Sequence, residues 1–214
     1  NRFFPLIEPI LKKHKVPDDF KYIAVIESGL LNVISPQGAR GIWQFIEASA
    51  KEYGMEVNTW VDERNDIEKS TEAACKYFKK AYDKFGNWTM AAASFNLGMS
   101  GLAKHADFQK TNNYYDLMLN SETTRYIFRI LAVKLILSNP SKFGFKIPVS
   151  ELYPLIKTKV IPVDSFAVSQ GINYKMLKFF NPWLIDESLH NPDKKIYYIK
   201  IPEAGFRDSL FGKE

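Results

Sequence analysis

The sequence predicts a mainly α-helical domain followed by a small unit of β-α-α-β order. The first observation is the spacing of apolar residues, which follows a helical period from Arg2 to about Asn139. The second is a change after Pro148, where two short stretches alternate apolar and polar residues as strands do. We therefore expect two domains, residues 1–147 and residues 148–214.

The first domain is predicted to be a run of helices. An apolar stripe from Leu6 to Leu11 forms the first, and Pro17 restarts the chain for a second that carries Glu27. Further helices are predicted over Ile42–Tyr53, Ile67–Phe85, Trp88–Phe95 and Ser121–Leu137. The connecting loops, rich in Gly, Pro and Asn, are predicted at Ser28–Arg40, Gly54–Asp66, Gly86-Asn87 and Gly98–Asn113.

The second domain is predicted from four short segments. Strands are expected at Leu155–Val160 and Tyr197–Ile201, and helices at Val163–Gln170 and Tyr174–Phe180, with Gly171 between the helices. This order within a short stretch predicts a compact unit of its own.

Composition excludes several classes of function. The formal charge of +5 is spread along the chain, and no motif for nucleic-acid binding accompanies it. His14, His105 and His190 lack partners at ligand spacing, so neither a metal nor another cofactor is expected. Cys75 is predicted to be a buried, inert thiol. No apolar run approaches the ~18 residues of a membrane span.

Glu27 is the candidate catalytic residue. It follows Ile23 and Ala24 at helical spacing, so its carboxyl faces the interior or a cleft wall. Desolvation raises the pKa of a carboxyl group, which keeps a proton available for donation near neutral pH. Periodicity alone leaves a second interpretation open, a surface glutamate that reaches into solvent.

Polar side chains later in the chain are candidates for ligand contacts. Gln44 places an amide among apolar neighbours, behind Gly38 and Gly41, where it needs a partner: a sugar hydroxyl, an acetamido group or a backbone carbonyl. Asn96 stands at a helix end, where it is either a ligand contact or a helix cap. Tyr126 offers a hydroxyl one turn into the last long helix.

The other acidic residues that stand out in the chain have structural interpretations. Glu122 is interpreted as a charge that stabilises a helix N-terminus. Asp62, Glu63 and Asp66 are interpreted as a solvated acidic patch in a loop.

The order of four motifs resembles a known family. The motifs are Glu27-Ser28, Gly41-Ile42-Trp43-Gln44-Phe45, Ala93-Ser94-Phe95-Asn96-Leu97-Gly98 and Glu122-Thr123-Thr124-Arg125-Tyr126. Together they resemble the soluble-lytic-transglycosylase (SLT) domain family, which has a lysozyme-like helical fold. Trp43 and the stretch Ser35–Gly41 are similar to the branch of membrane-bound lytic murein transglycosylase D.

The resemblance implies a role for each matched residue. Glu27 corresponds to the sole catalytic carboxylate. The substrate-binding positions that it implies are Ser35, Trp43, Gln44, Phe95, Asn96 and Tyr126, and the Tyr126 hydroxyl is expected to point at the catalytic centre. Phe95 stands where the family more often has Tyr, so the ring is kept but a hydroxyl is lost.

The resemblance also implies the reaction. Glu27 would protonate the glycosidic oxygen between N-acetylmuramic acid and N-acetylglucosamine, and would then act as base while the muramyl C6 hydroxyl closes a 1,6-anhydro ring. A hydrolytic muramidase of the same fold and a non-catalytic peptidoglycan-binding protein stay open as alternatives. We expect the glycan strands of peptidoglycan as partner, a location in the periplasm or cell envelope, and a monomer; a lipid anchor upstream of Asn1 is compatible with this.

The C-terminal segment Val160–Ile201 resembles a degenerate LysM module, a βααβ fold that binds glycans containing N-acetylglucosamine. Pro162-Val163-Asp164-Ser165 replaces the usual Gly-Asp-Ser/Thr turn that borders the glycan groove. Two interpretations stay open, a glycan-binding module and a structural cap on the catalytic domain.

Overall fold

The computed structural model describes residues 3–146, 158–163, 174–186, 189 and 191–202. Its helices are α1 Phe4–Lys13, α2 Lys21–Ser28, α3 Glu47–Glu52, α4 Ile67–Phe85, α5 Trp88–Leu97, α6 Met99–Gln109, α7 Ser121–Ser138 and α8 Tyr174–Phe180. Strands β1 Thr158–Val163 and β2 Tyr197–Pro202 form an antiparallel pair in which Val160 faces Lys200. The expected mainly α fold class is confirmed.

Helices α1 to α7 surround one hydrophobic core. The central helix α4 begins at the cap Asp66, whose carboxylate accepts from the Lys69 N–H, and ends at Gly86 in the left-handed conformation. Helix α5 packs its small residues, Ala91 to Ser94, against α4, and buried Tyr126 in α7 closes the core from the other side.

Two predictions in this region are wrong. Residues 41–44 form turns and Phe45 pairs with Arg40 in an isolated β-bridge, so the helix predicted over Ile42–Tyr53 begins only at Glu47. The cause is Gln44, which has a φ of 51° and cannot continue a right-handed helix. The predicted loop Gly98–Asn113 contains helix α6 instead, which follows α5 after a break of one residue and buries Leu102.

The C-terminal unit has a small core of its own that also takes in Val61 of the first domain. Asn181, fully buried after α8, ties that helix to β2: its Nδ2 donates to the Lys200 carbonyl over 2.8 Å, and its Oδ1 accepts from the Lys200 N–H over 2.6 Å. Both predicted strands are present, β1 ending later than expected, and α8 has the predicted bounds. The helix predicted at Val163–Gln170 lies almost wholly outside the described residues; Val163 itself ends β1.

The C-terminal unit is docked on the segment Gly54–Asp66, which we call the bridging segment. Val61 pairs with Leu184 in an antiparallel bridge, and the Asp62 N–H donates to the Trp183 carbonyl over 2.8 Å. The Tyr197 hydroxyl donates to the Glu56 carboxylate over 2.8 Å. Among the described residues, no helix is long and apolar enough to cross a membrane.

Candidate active site

Glu27 lies in the last turn of α2, which ends because Gly29 adopts a left-handed conformation with φ of 64°. The side chain is half-buried, and its Oε1 accepts a hydrogen bond of 2.5 Å from the hydroxyl of Tyr126. Burial raises the pKa of the Glu27 carboxyl above its ordinary value, although the bond from Tyr126 acts in the opposite direction. The expected desolvated carboxyl is therefore present. The Tyr126 hydroxyl points at Glu27, as the resemblance implied, but the side chain is 0% exposed, so its predicted contact with substrate is corrected to a contact with the catalytic carboxyl.

Two charged residues of α7, absent from the predicted site, act on Glu27. The Arg129 charge lowers the pKa of Glu27, and its Nη2 donates to the Ile26 carbonyl over 3.1 Å. The Glu122 charge raises that pKa. The sequence signal for both was spacing: Glu122 lies four residues before Tyr126 and Arg129 three residues after it, and residues at these spacings share a helix face.

Asn96 is held by the N-terminus of α7. Its Nδ2 donates to Glu122 Oε1 over 2.9 Å, and its Oδ1 accepts from the Thr123 hydroxyl over 2.7 Å. The amide thus joins α5 to α7, a role that neither the helix-cap nor the ligand interpretation included. Its Nδ2 carries two hydrogens, and the bond to Glu122 uses one of them.

The segment Gly29–Phe45, which we call the site loop, is fastened to α2 by Ser28. The Ser28 hydroxyl contacts the Ile42 carbonyl over 2.9 Å and the Ala24 carbonyl over 3.1 Å. This contact fixes the distance between the end of α2, where Glu27 lies, and the part of the loop that carries Gln44.

Gln44 uses its amide nitrogen within the site loop. Nε2 donates to the Val33 carbonyl over 3.0 Å and to the Gly41 carbonyl over 2.8 Å. Backbone carbonyls are therefore the partners of this donor. Within the described part of the chain, Oε1 is left to accept a hydrogen bond from a ligand.

Ser35 closes a tight turn in the same loop. Its Oγ accepts from the Ala39 N–H over 3.1 Å, and its own N–H donates to the Ala39 carbonyl over 2.8 Å. The hydroxyl hydrogen is not used in these bonds.

Trp43 does not lie in the cleft. It is 0% exposed, and its indole N–H donates to the Thr71 hydroxyl over 2.9 Å. Since no part of this side chain reaches solvent, the predicted contact with substrate is corrected to a packing role. Phe95 is half-buried, with its ring centre 6.2 Å from that of Trp43 and 5.0 Å from that of Phe78.

The predicted acidic patch is not solvated. Asp62, Glu63 and Asp66 are all buried, and each has a structural partner. Asp62 forms a bidentate pair with Arg64, Glu63 contacts Lys69, and Asp66 caps α4. Burial raises the pKa of Asp66. These carboxylates are therefore part of the architecture around the site loop.

No group of three or more His, Cys, Asp or Glu residues able to hold a metal occurs in the described ranges. Burial raises the pKa of Cys75 to about 12, so its thiol stays protonated, as predicted. A cavity of about 350 Å³ lies between the start of α4, the site loop and the C-terminal unit, lined by Leu30, Ile67 and Lys178 among others. Glu27 does not line it.

The chain is similar in sequence to known proteins. The sequence profile of the Transglycosylase SLT domain matches residues 5–118, more than half of the chain. The chain belongs to this family. A second profile, the soluble lytic transglycosylase C-terminal LysM-like domain, matches residues 155–205. Both resemblances expected from the motifs are thereby confirmed.

A relative of this SLT protein supports the family assignment. It is 27% identical over 217 aligned positions to membrane-bound lytic murein transglycosylase D of Escherichia coli K12. The alignment covers 95% of this chain and 48% of that protein, so the chain spans about half the length of the curated relative. The expected similarity to the branch of membrane-bound lytic murein transglycosylase D is therefore confirmed.

Solved structures support the fold. The 70 kDa soluble lytic transglycosylase of Escherichia coli superposes with a TM-score of 0.52 at 20% identity, over 69% of this chain and 26% of that chain. Its complex with bulgecin A superposes with a TM-score of 0.51, at the same identity and coverage. At this identity the similarity establishes the lysozyme-like helical fold.

Proposed function

We propose that this SLT protein is a peptidoglycan lytic transglycosylase that cleaves the β-1,4 bond between N-acetylmuramic acid and N-acetylglucosamine. The observation that carries the proposal is the half-buried Glu27 carboxyl, with raised pKa and one oxygen bonded to the buried hydroxyl of Tyr126. Family membership and the murein transglycosylase relative support the substrate class.

The first step is proton donation. Because Tyr126 occupies Oε1, the proton of Glu27 resides on Oε2 and passes to the glycosidic oxygen as the bond to the muramyl C1 breaks. The substrate's own 2-acetamido group stabilises the cationic carbon. The N-acetylglucosamine side leaves with its new hydroxyl.

The second step is ring closure. The Glu27 carboxylate now accepts the proton of the muramyl C6 hydroxyl while that oxygen bonds to C1, which gives the 1,6-anhydro product and restores the acid. No water is consumed, and we expect no cofactor or metal. Tyr126 keeps the carboxylate oriented through both steps, and Arg129 stabilises its charged form between them.

The remaining contacts divide between donor and acceptor groups. We assign to Gln44 Oε1 the role of accepting a hydrogen bond from the sugar, and to Asn96 Nδ2 the role of donating one. Ser35 is assigned a contact through its hydroxyl hydrogen, and Phe95 a ring face beside the sugar. These four roles are proposals; the hydrogen-bonding capacity that Gln44, Asn96 and Ser35 do not use within the chain supports the first three.

The test is clearance of purified peptidoglycan by the Glu27→Gln variant. General acid catalysis contributes about 10²–10⁴-fold, so the variant should lose at least about 100-fold in rate. Glu47→Gln, which changes an exposed carboxylate paired with Lys51, is the matched control and should clear at the wild-type rate. Clearance by Glu27→Gln at the control rate would remove Glu27 from its role and favour a non-catalytic binding protein.

One observation favours hydrolysis as the second candidate. Glu122 brings a second carboxylate into the electrostatic surroundings of Glu27, and paired carboxylates are typical of hydrolytic glycosidases. Mass analysis of the products separates the two reactions. Transglycosylation gives ends that are lighter by one water and resist borohydride reduction, whereas reducible ends would identify a muramidase.

We infer a location in the periplasm or cell envelope, where peptidoglycan lies.

We also infer that the C-terminal unit is a cap on the first domain. Support for the cap comes from Val61, which belongs to the core of the C-terminal unit, and from the backbone bond between Asp62 and Trp183. Monomeric state and the domain division at residue 148 stay predictions.

A further inference from the structure

The bridging segment contains a buried ion pair that the proposed mechanism does not use. Asp62 is 2% exposed and Arg64 6% exposed. Arg64 Nε donates to Asp62 Oδ1 over 2.8 Å, and Nη2 donates to Oδ2 over 2.7 Å, a bidentate arrangement. Arg40 Nε lies 3.4 Å from the same carboxylate. A buried pair adds little net stability because desolvation offsets its attraction, so its value lies in what its geometry fixes.

What Arg64 fixes is the site loop. Its Nη1 donates to the Gly38 carbonyl over 3.0 Å and to the Phe45 carbonyl over 3.2 Å. These two carbonyls lie on either side of Gln44 in the chain. One guanidinium therefore holds the backbone before and after the amide that we assign to the substrate.

The backbone of Arg64 packs against the same turn. Gly41, at φ 79°, lies so close to the Arg64 carbonyl that a Cβ on the glycine would come within 1.8 Å of its oxygen. Only glycine fits this contact. Both the side chain and the main chain of Arg64 thus contact the site loop.

The C-terminal unit contacts the main chain at Asp62, the acidic member of the ion pair. The Asp62 N–H donates to the Trp183 carbonyl, and the Ile185 N–H donates to the Trp60 carbonyl over 3.0 Å. Val61, between these two positions, pairs with Leu184. The contacts form a continuous path from the C-terminal unit through Asp62 and Arg64 to the loop around Gln44.

We propose that Arg64 is a positioning residue, which holds the site loop so that Gln44 faces the cleft beside Glu27. Asp62 orients its guanidinium, and the docked C-terminal unit fixes Asp62. The inference rests on the proposed function of the site, because Gln44 matters only if that cleft binds glycan. It gives the C-terminal cap a task in substrate binding without any sugar contact of its own.

The first experiment replaces Arg64 by Lys in the full chain, which keeps the charge but not the forked donors. We expect KM for peptidoglycan to rise about tenfold, as loss of loop hydrogen bonds would cause, with kcat within about twofold of the wild type. The pH–rate profile should keep its position, since the pKa of Glu27 is set by burial, Tyr126, Arg129 and Glu122, and Arg64 is not among these causes. Backbone amides of residues 38–45 should exchange hydrogen faster.

A double variant separates positioning from stability. Asp62→Leu with Arg64→Met replaces the pair by apolar side chains, an exchange that often restores or increases stability. Positioning predicts that KM and loop exchange stay altered although Tm recovers. A merely structural role predicts that both return to wild-type values, and that result would overturn the proposal, as would an Arg64→Lys variant with unchanged KM and unchanged exchange.

A control and a second measurement complete the design. Leu102→Ala opens a cavity in α6 and lowers Tm, yet it should leave exchange at residues 38–45 unchanged. N-acetylchitopentaose, bound in the Glu27→Gln background, should lose about tenfold in affinity with Arg64→Lys. If Glu27→Gln itself retains full clearance, the proposed function fails, whereas amide exchange still decides whether Arg64 holds the loop.

Discussion

The hydroxyl of Tyr126 lies 2.5 Å from Oε1 of Glu27, although 99 residues separate the two in sequence. Tyr126 is 0% exposed, so the phenol has no contact with bulk water, and burial raises its pKa well above the ordinary tyrosine value. It remains a donor over the whole working pH range. The carboxyl therefore always has one oxygen fixed and the other directed elsewhere.

The Tyr126→Phe variant should lose about 10- to 100-fold in kcat, the size expected for one hydrogen bond to a charged group, ~1.5–3 kcal/mol. The bond lowers the pKa of Glu27, so its removal raises that pKa. The basic limb of the pH–rate profile should move to higher pH. A profile measured on soluble muropeptide substrate checks this, and an unmoved limb would contradict the assignment of the general acid.

The Glu122→Gln variant should move the same limb in the opposite direction. The negative charge of Glu122 raises the pKa of Glu27, and glutamine removes that charge while keeping an oxygen for Asn96. Because the interaction is between charges, raised ionic strength should shrink the difference from wild type. Asp107→Asn, an exposed acid in α6, is the control and should leave the profile in place.

Stability should also respond to Glu27. The pKa of Glu27 is higher in the folded state than in the unfolded state. Between these two pKa values the native state binds more protons than the unfolded state, so the free energy of unfolding falls as pH rises. Glu27→Gln removes this penalty. We expect the variant to have a higher Tm than wild type at neutral pH and an equal Tm well below the ordinary glutamate pKa of about 4.3. Equal values at both pH values would mean that the carboxyl is solvated.

Local chemistry explains which elements were predictable. Helix α4 has the predicted bounds because Asp66 caps its start and Gly86 ends it in a left-handed conformation. Helix α6 was missed because Gly98 and Gly101 resemble loop punctuation, whereas buried Leu102 needs a helix to reach the core. Helix propensity read from the sequence carries no information about the packing of Leu102 in the core.

The residues of the candidate site also differ in how far the sequence predicts their placement. The burial of Glu27 was predictable because its place on an apolar face shows in the sequence. Burial of Asp62 was not, since it depends on Arg64 and on carbonyls of Gly38 and Phe45 that only the folded chain brings together. Trp43 was misplaced because an aromatic residue beside Gln44 suits a sugar platform and a core equally well.

The Trp43→Phe variant tests the packing role. It loses the bond to Thr71 and part of a fully buried ring, so the free energy of unfolding should fall by about 1–3 kcal/mol. Affinity for N-acetylchitopentaose should stay at the wild-type value, because the side chain has no exposed surface. Urea unfolding followed by circular dichroism measures the first quantity and calorimetric titration the second. Weaker sugar binding at unchanged stability would restore Trp43 to the cleft.

The two hydrophobic cores predict how the C-terminal unit detaches. Val61 belongs to the first domain in sequence but is 1% exposed within the small core of the C-terminal unit. Val61→Ala removes two methyl groups from that core, which should cost about 1.5–2.5 kcal/mol. The loss should appear first as faster hydrogen exchange in β2, while amides of α5, in the large core, keep wild-type protection. Equal acceleration in both would show that the two cores unfold as one cooperative unit, and would make the cap inseparable from the catalytic domain.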